Sequence, residues 1–328
     1  MAEALLRIVD LRTYFTKKQV VTRAVDGISL EVAPRQAVCI VGESGSGKSI
    51  TALSIMRLIP KPHCRIVTGA IEFEGRNLLE LSDAQMTDVR GNQIAMIFQE
   101  PMTALNPVLS IGQQLSEVLR RHRRISRAEA MARSVEMLEV MGVPRAGEII
   151  REYPHQLSGG LRQRAMTAMA MLCQPKLLIA DEPTTALDVT IQAQVLHLMK
   201  KMREEFHTSI ILITHDLGVV AEMADHVVVM YAGQIVESVA ADALFDHPLH
   251  PYTRALLDSI PSLDQDKDSL YSIPGTVPDA SAFPRGCRFA ARCALAGPEC
   301  SAREVELEAK QSGHLVRCIK VPASGGPP

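Results

Sequence analysis

The sequence predicts an α/β protein with a second, smaller region appended, and three observations lead there. Short apolar, β-branched runs alternate with helix-patterned stretches between residues 36 and 231, which implies a largely parallel sheet between helices. A loop of the form G-x-x-x-x-G-K-[ST] falls between one such run and a helical one. After residue 245 the texture changes to prolines at 248, 251, 261, 274, 278, 284 and 298 with few periodic runs.

In chain order, the expected strands are 36–41, 93–98, 176–180, 210–214 and 227–231. Between 101 and 157 the β signal disappears, and 111–141 reads as helices with a charged face that includes Arg120, Arg121, Arg123 and Arg124, a helical insert in the core. The resulting expectation is a core over 1–245 with a helical subdomain at about 101–160, followed by an irregular domain over 246–328. The tip Ser324-Gly325-Gly326-Pro327-Pro328 is expected to be disordered.

Composition removes several classes of function. The chain has 328 residues with 35 Lys+Arg against 37 Asp+Glu, so it carries no electrostatic footprint for nucleic acid or an anionic membrane. Its longest apolar stretches, such as 210–214 and 227–230, fall far short of the roughly 20 residues of a membrane helix. Residues 1–7 lack a basic stretch followed by an apolar run, so no signal peptide is read and the cytoplasm is expected.

Gly42-Glu43-Ser44-Gly45-Ser46-Gly47-Lys48-Ser49 matches the phosphate-loop pattern in full, after an apolar strand and before a helical run over 50–58. Gly42, Ser44, Gly45, Ser46 and Gly47 let backbone N–H groups wrap phosphates at a helix start. Lys48 neutralises the β/γ oxygens and the Ser49 hydroxyl ligates Mg²⁺. The run 176–181 is an apolar strand ending in Asp181, followed at once by Glu182. Asp181 suits indirect Mg²⁺ coordination, and Glu182 is placed to polarise an attacking water.

Leu157-Ser158-Gly159-Gly160-Leu161-Arg162-Gln163-Arg164 lies before a helical run and shortly before the acidic strand, and it resembles the signature sequence of ABC ATPases. The fold implied is the phosphate-loop (RecA-like) nucleotide-binding domain with a helical subdomain, acting on ATP and Mg²⁺. Leu161 stands where that family usually has Gln, so a role for that side chain does not carry over, while Ser158 and the Gly159 and Gly160 amides remain placed to hold a γ-phosphate. By the same resemblance Gln99 is the Q-loop residue that senses Mg²⁺ and water, and Thr185-Ala186-Leu187-Asp188 is the D-loop. His215 is the switch histidine, and Phe15, with Tyr14 as the alternative, stacks on adenine. One ATP lies between the phosphate loop of one subunit and the signature of another, so the chain needs a partner ATPase.

The residues 99–107, His250-Pro251-Tyr252 with the helix that follows it, and 273–278 resemble the dipeptide/oligopeptide-importer branch. His247 and His250 read as a proline-punctuated turn into a helix. The branch implies a motor for peptide uptake, with a paralogous ATPase, two transmembrane permease subunits and an extracytoplasmic peptide-binding protein. The chain would lie peripherally on the cytoplasmic face of the plasma membrane, with no nucleic-acid partner. Nickel, glutathione or antimicrobial peptides are alternative cargoes, and a soluble ABC ATPase outside transport is the remote alternative.

Cys287, Cys293, Cys300 and Cys318 crowd the last fifth of the chain. Four thiolates supply a first shell for an iron–sulfur cluster or structural Zn²⁺, and the spacings lack the C-x₂-C knuckles usual for zinc. Resemblance to branch members with such tails favours a [4Fe–4S] cluster. Cys39, Cys173, Met166, Met169 and Met171 read as core packing.

Overall fold

The computed structural model describes residues 4–99, 105–185, 189–259 and 272–322. Its elements begin with strands β1 (Leu6–Lys17), β2 (Val20–Val32) and β3 (Ala37–Val41), helix α1 (Lys48–Ile55), and strands β4 (Cys64–Phe73) and β5 (Arg76–Asn77). Helix α2 (Asp83–Val89) and strand β6 (Ile94–Ile97) lead to the helices α3 (Ile111–His122), α4 (Arg127–Val140), α5 (Ala146–Ile149) and α6 (Gly159–Met171). Then come β7 (Leu177–Asp181), α7 (Val189–Phe206), β8 (Ser209–Ile213), α8 (Leu217–Met223), β9 (His226–Tyr231) and β10 (Gln234–Ala240). The chain closes with α9 (Ala241–Asp246), α10 (Pro251–Asp258), α11 (Glu299–Ala302), β11 (Glu308–Gln311) and β12 (His314–Val316).

The chain divides into two compact units, Met1–Val32, Ala37–Leu79 and Thr214–Pro328 in one, Ala33–Gln36 and Glu80–Ile213 in the other. The described tail lies in the first unit and is hydrogen-bonded into it through Glu237. In the second unit β6, β7 and β8 pair in parallel, and all three are buried along their whole length. That is why they read as continuous apolar runs rather than alternating ones. The stretch 111–141 expected to be helical holds α3 and α4, and the starts of α3, α4 and α6 are chemical. Ser110, Ser126 and Ser158 each accept a backbone N–H three residues on, from Gln113, Glu129 and Leu161. At Ser110 the Gln113 side chain returns the bond to the Ser110 N–H at 2.8 Å, a complete capping box.

The first unit contains a sheet that the strand signals do not reveal: β2-β1-β4-β5, antiparallel throughout. Its pairing is broken by register shifts in β1, where Asp10 takes a left-handed φ of 44°. These bulges scramble the period-2 pattern that would mark a strand. In the same unit β3 pairs in parallel with β9, and β9, β10, β12 and β11 continue antiparallel. Tyr231, Tyr252 and Phe289 form an aromatic cluster with ring centroids 4.6–5.3 Å apart. Met166 and Met171 are buried as expected of packing residues, and so is Cys39, whose thiol burial pushes up to about 12.

Glu237 of β10 is fully buried and anchors the tail. Its carboxylate accepts the Leu249 N–H at 2.7 Å, the His250 N–H at 3.0 Å and His314 Nε2 at 2.7 Å. Three donors converge on one carboxylate, so removing it strands them all in a dry site. Glu237→Ala is expected to lower unfolding stability by about 3 kcal/mol, read by denaturant titration.

Candidate functional site

In the first unit, the phosphate loop leaves β3 and enters α1 through Gly47, the N-cap, which has a left-handed φ of 102° and no capping side chain. Gly47 thus brings no side-chain cap to the start of α1, and the N-terminus of a helix is the kind of place that receives an anion. Two glycines are there for space. A Cβ on Gly42 would lie 2.1 Å from the Met230 carbonyl oxygen, and one on Gly47 would lie 2.4 Å from that of Ala24. Lys48 is 5% exposed, and its Nζ donates to the carbonyls of Gly42 at 2.7 Å and Glu43 at 3.0 Å. Ser46 is buried and its hydroxyl has no hydrogen-bond partner among the described residues, whereas Ser44 and Gly45 face solvent.

Phe15 of β1 is half-buried. Tyr14, the alternative for adenine stacking, is engaged elsewhere, its hydroxyl donating to Asp26 Oδ1 at 2.5 Å. His215 follows Thr214 and is exposed, just before Asp216 caps α8 by accepting the Gly218 and Val219 N–H groups.

In the second unit, β7 ends on Asp181, which is 5% exposed, and the chain turns at Glu182 with a left-handed φ of 48°. A non-glycine residue holds that conformation only where the surroundings impose it. Here the Glu182 N–H donates to the Ile213 carbonyl at 2.9 Å. Its carboxylate Oε2 accepts from Gln99 Nε2 at 3.0 Å and from the Thr185 hydroxyl at 2.9 Å. The structure thus brings Gln99 and Glu182 together across 83 residues of sequence. Asp188, Ala186 and Leu187 lie outside the described residues, as do 100–104 of the branch-specific segment.

Ser158, Gly159 and Gly160 form the start of α6, with Ser158 and Gly159 exposed and the Ser158 hydroxyl accepting the Leu161 N–H at 3.4 Å. Gln163, buried on this helix, donates to the Pro183 carbonyl at 2.8 Å and so ties the signature helix to the turn that carries Glu182.

The four tail cysteines line one pocket in the first unit, together with His250, Phe289 and Lys320 among others. Burial pushes the Cys287 thiol up to about 11 and raises Cys293 as well. Among the described residues no group of three or more His, Cys, Asp or Glu side chains is arranged to hold a metal ion. The four thiols thus share one pocket.

Sequence reasoning missed three residues at the phosphate loop. The Tyr252 hydroxyl accepts the Glu43 N–H at 2.9 Å, and Arg292 forks onto the Glu43 carboxylate at 2.7 and 3.0 Å. The position of Tyr252 in a conspicuous His-Pro-Tyr turn is the one available signal. Nothing local marks Glu43, which occupies a free position of the loop pattern.

The ABC transporter family matches residues 25–185, and the family described as oligopeptide/dipeptide transporter, C-terminal region, matches residues 236–300. The chain is 53% identical over 315 residues to the oligopeptide transport ATP-binding protein AppD of Bacillus subtilis (strain 168), covering 96% of each. It is 50% identical to OppD of the same organism, over 89% of this chain and 82% of that one. For the dipeptide transport ATP-binding protein DppD, also of B. subtilis, the figure is 47% over 96% and 94%. Among solved structures, the dimeric post-hydrolysis state of the ATP-binding cassette MJ0796 bound to ADP and Pi superposes with a TM-score of 0.65 at 25% identity. That match covers 72% of this chain and 98% of MJ0796.

The steric case at the loop is directly testable. Gly47→Ala sets a Cβ against a backbone oxygen in a conformation unfavourable to side chains, so a fluorescent ATP analogue is expected to bind at least about tenfold more weakly, or not at all.

Proposed function

The chain belongs to the ATP-binding subunits of ABC transporters, and from that membership we propose that it hydrolyses MgATP to drive import of dipeptides and short oligopeptides through membrane permease subunits. The observation that carries the peptide reading is the tail: the match to oligopeptide and dipeptide relatives runs past the ATPase motifs to nearly the whole chain. A cassette shared by all ABC ATPases could not distinguish cargo class, whereas an appended region characteristic of one branch does.

The residues take the following roles. The α1 amides with Gly42, Ser44, Gly45, Ser46, Gly47 and Lys48 cradle the phosphates; the buried Ser46 hydroxyl, without a partner among the described residues, is a donor suited to a phosphate oxygen. Phe15 stacks on adenine. Ser49, Asp181 and Gln99 offer hard oxygen donors of the type that suits Mg²⁺, which when bound offsets charge on the β and γ oxygens. Glu182 orients the attacking water, Gln99 holds the Glu182 carboxylate in place before nucleotide arrives, and His215 contacts the γ-phosphate. Ser158, Gly159, Gly160 and Asp188 serve the ATP of a partner ATPase, which we take to be a paralogue. Two permease subunits and an extracytoplasmic peptide-binding protein complete the assembly, with this chain peripheral on the cytoplasmic face of the membrane. No helix among the described residues is long and apolar enough to cross one.

In this reading 1–245 is the nucleotide-binding domain, with a helical subdomain at about 101–160, and 246–328 is the importer-type C-terminal domain. Its four-thiol pocket is our assigned place for a [4Fe–4S] cluster. What supports this is that four soft donors face one pocket whose other lining residues include no carboxylate. When bound, such a group would cross-link four chain positions. Anaerobically purified protein is expected to contain iron and acid-labile sulfide, both lost in Cys300→Ser; an iron-free parent would remove the assignment.

The function itself is tested by ATP turnover of the reconstituted membrane complex with a peptide-loaded binding protein. Stimulation by peptide that disappears in Lys48→Ala and Glu182→Gln, with the partner ATPase inactivated, is expected. Stimulation by nickel or glutathione and by no peptide would keep the motor and overturn the cargo.

A further inference from the structure

The pairing of Arg292 with Glu43 is unusual for what it joins. Arg292 is 4% exposed in its side chain, sits in the cysteine-rich tail directly before Cys293, and reaches the second residue of the phosphate loop. Its guanidinium is aimed by further bonds: Nε donates to the Pro274 carbonyl at 2.9 Å, Nη2 to that of Ile273 at 3.3 Å, and Nη1 to the Tyr231 hydroxyl at 3.4 Å. A planar fork held this way leaves the Glu43 carboxylate little freedom. The loop is gripped a second time through its backbone. Tyr252, whose N–H is capped by His250 Nδ1 at 3.0 Å, accepts the Glu43 N–H.

Glu43 is the sole acidic side chain between Gly42 and Ser49. Left alone, its negative charge would stand beside a bound polyphosphate and oppose it. Arg292 neutralises that charge and fixes the loop's first turn in one contact. The same tail segment makes a parallel attachment at its other end. Arg288, directly after Cys287, donates to the Ala232 carbonyl at 2.5 Å and pairs with the Asp26 carboxylate. Both arginines of the 287–293 segment hold the cassette, and both of its cysteines line the four-thiol pocket.

We infer that Arg292 and Tyr252 are positioning residues for the phosphate loop, and that through Arg292 the four-cysteine pocket sets how tightly the loop holds MgATP. The inference rests on the ATPase reading above. It does not depend on the identity of the transported cargo, nor on which group the thiols hold.

The test is KM and kcat for MgATP in the reconstituted complex with the partner ATPase inactivated. Arg292→Gln is expected to raise KM about fivefold with a smaller change in kcat, and Arg292→Lys, which keeps the charge and the fold if the glutamine variant does not, to raise it less. Adding Glu43→Gln should lower the KM of Arg292→Gln again, because the opposing charge is gone; a merely structural loss would not recover. Rising salt should narrow the defect of Arg292→Gln for the same reason. Cys293→Ser should raise KM in the parent and add nothing in Arg292→Gln. An unchanged KM in Arg292→Gln and Arg292→Lys, or a further rise on adding Glu43→Gln, overturns the positioning role. Multiplying effects of Cys293→Ser and Arg292→Gln overturn the link to the pocket. A parent complex with no MgATP turnover would instead fail the ATPase reading.

Discussion

The phosphate loop exists in its shape because two backbone carbonyls occupy the places where side chains would otherwise be. Met230 presents its oxygen to Gly42 and Ala24 presents its oxygen to Gly47, each closer to a hypothetical Cβ than any real contact allows. The glycines are therefore dictated by the strands packed around the loop as much as by the ligand the loop receives. Gly47 adds a left-handed φ at the point where the loop passes into α1. Packing of β9 and β2 against the loop thus fixes the path by which the chain enters α1, and with it the position of Lys48 and Ser49.

The second half of the machinery is organised by one strained residue. Glu182 keeps a positive φ that costs on the order of 1–3 kcal/mol. Its amide bond to Ile213 and the two donors on its carboxylate offset that cost. Turning sharply after β7 is what presents Glu182 beyond the end of the strand while Asp181 stays buried within it. Adjacent acids thereby acquire different surroundings: Asp181 is buried at the strand end, while Glu182 stands half-buried on the turn that follows.

Legibility in the sequence followed range of interaction. The phosphate loop, the acidic strand and the signature helix were readable because each is a local pattern flanked by the element it needs, and β3, β7 and β8 were readable because burial on both faces leaves unbroken apolar runs. The β2-β1-β4-β5 sheet was not. Its strands alternate exposed and buried residues through bulges, so neither period survives over a useful window. The Gln99–Glu182 bond was foreseen in its members and not in its geometry. The grip of Arg292 on Glu43 spans 249 residues and joins a free motif position to an arginine in a proline-rich tail, so no periodicity, cap or spacing could announce it. For the four cysteines, composition located the cluster, but whether the thiols converge on one centre depends on loop positions that spacing alone does not determine.

The tail is better understood as part of the nucleotide site's support than as an ornament on a finished ATPase. Glu237, inside the β-sheet, orients Leu249 and His250; His250 caps α10; α10 delivers the Tyr252 hydroxyl to the Glu43 amide. Each contact in that sequence is buried or partly buried and each satisfies a backbone donor, which makes the chain of contacts stiff at modest cost. A loop that must wrap a polyphosphate benefits from being held before the ligand arrives, since ordering it on binding would subtract from affinity. The His-Pro-Tyr turn therefore has a physical role in this chain independent of any metal: it converts the packing of the C-terminal region into a fixed first turn of the phosphate loop.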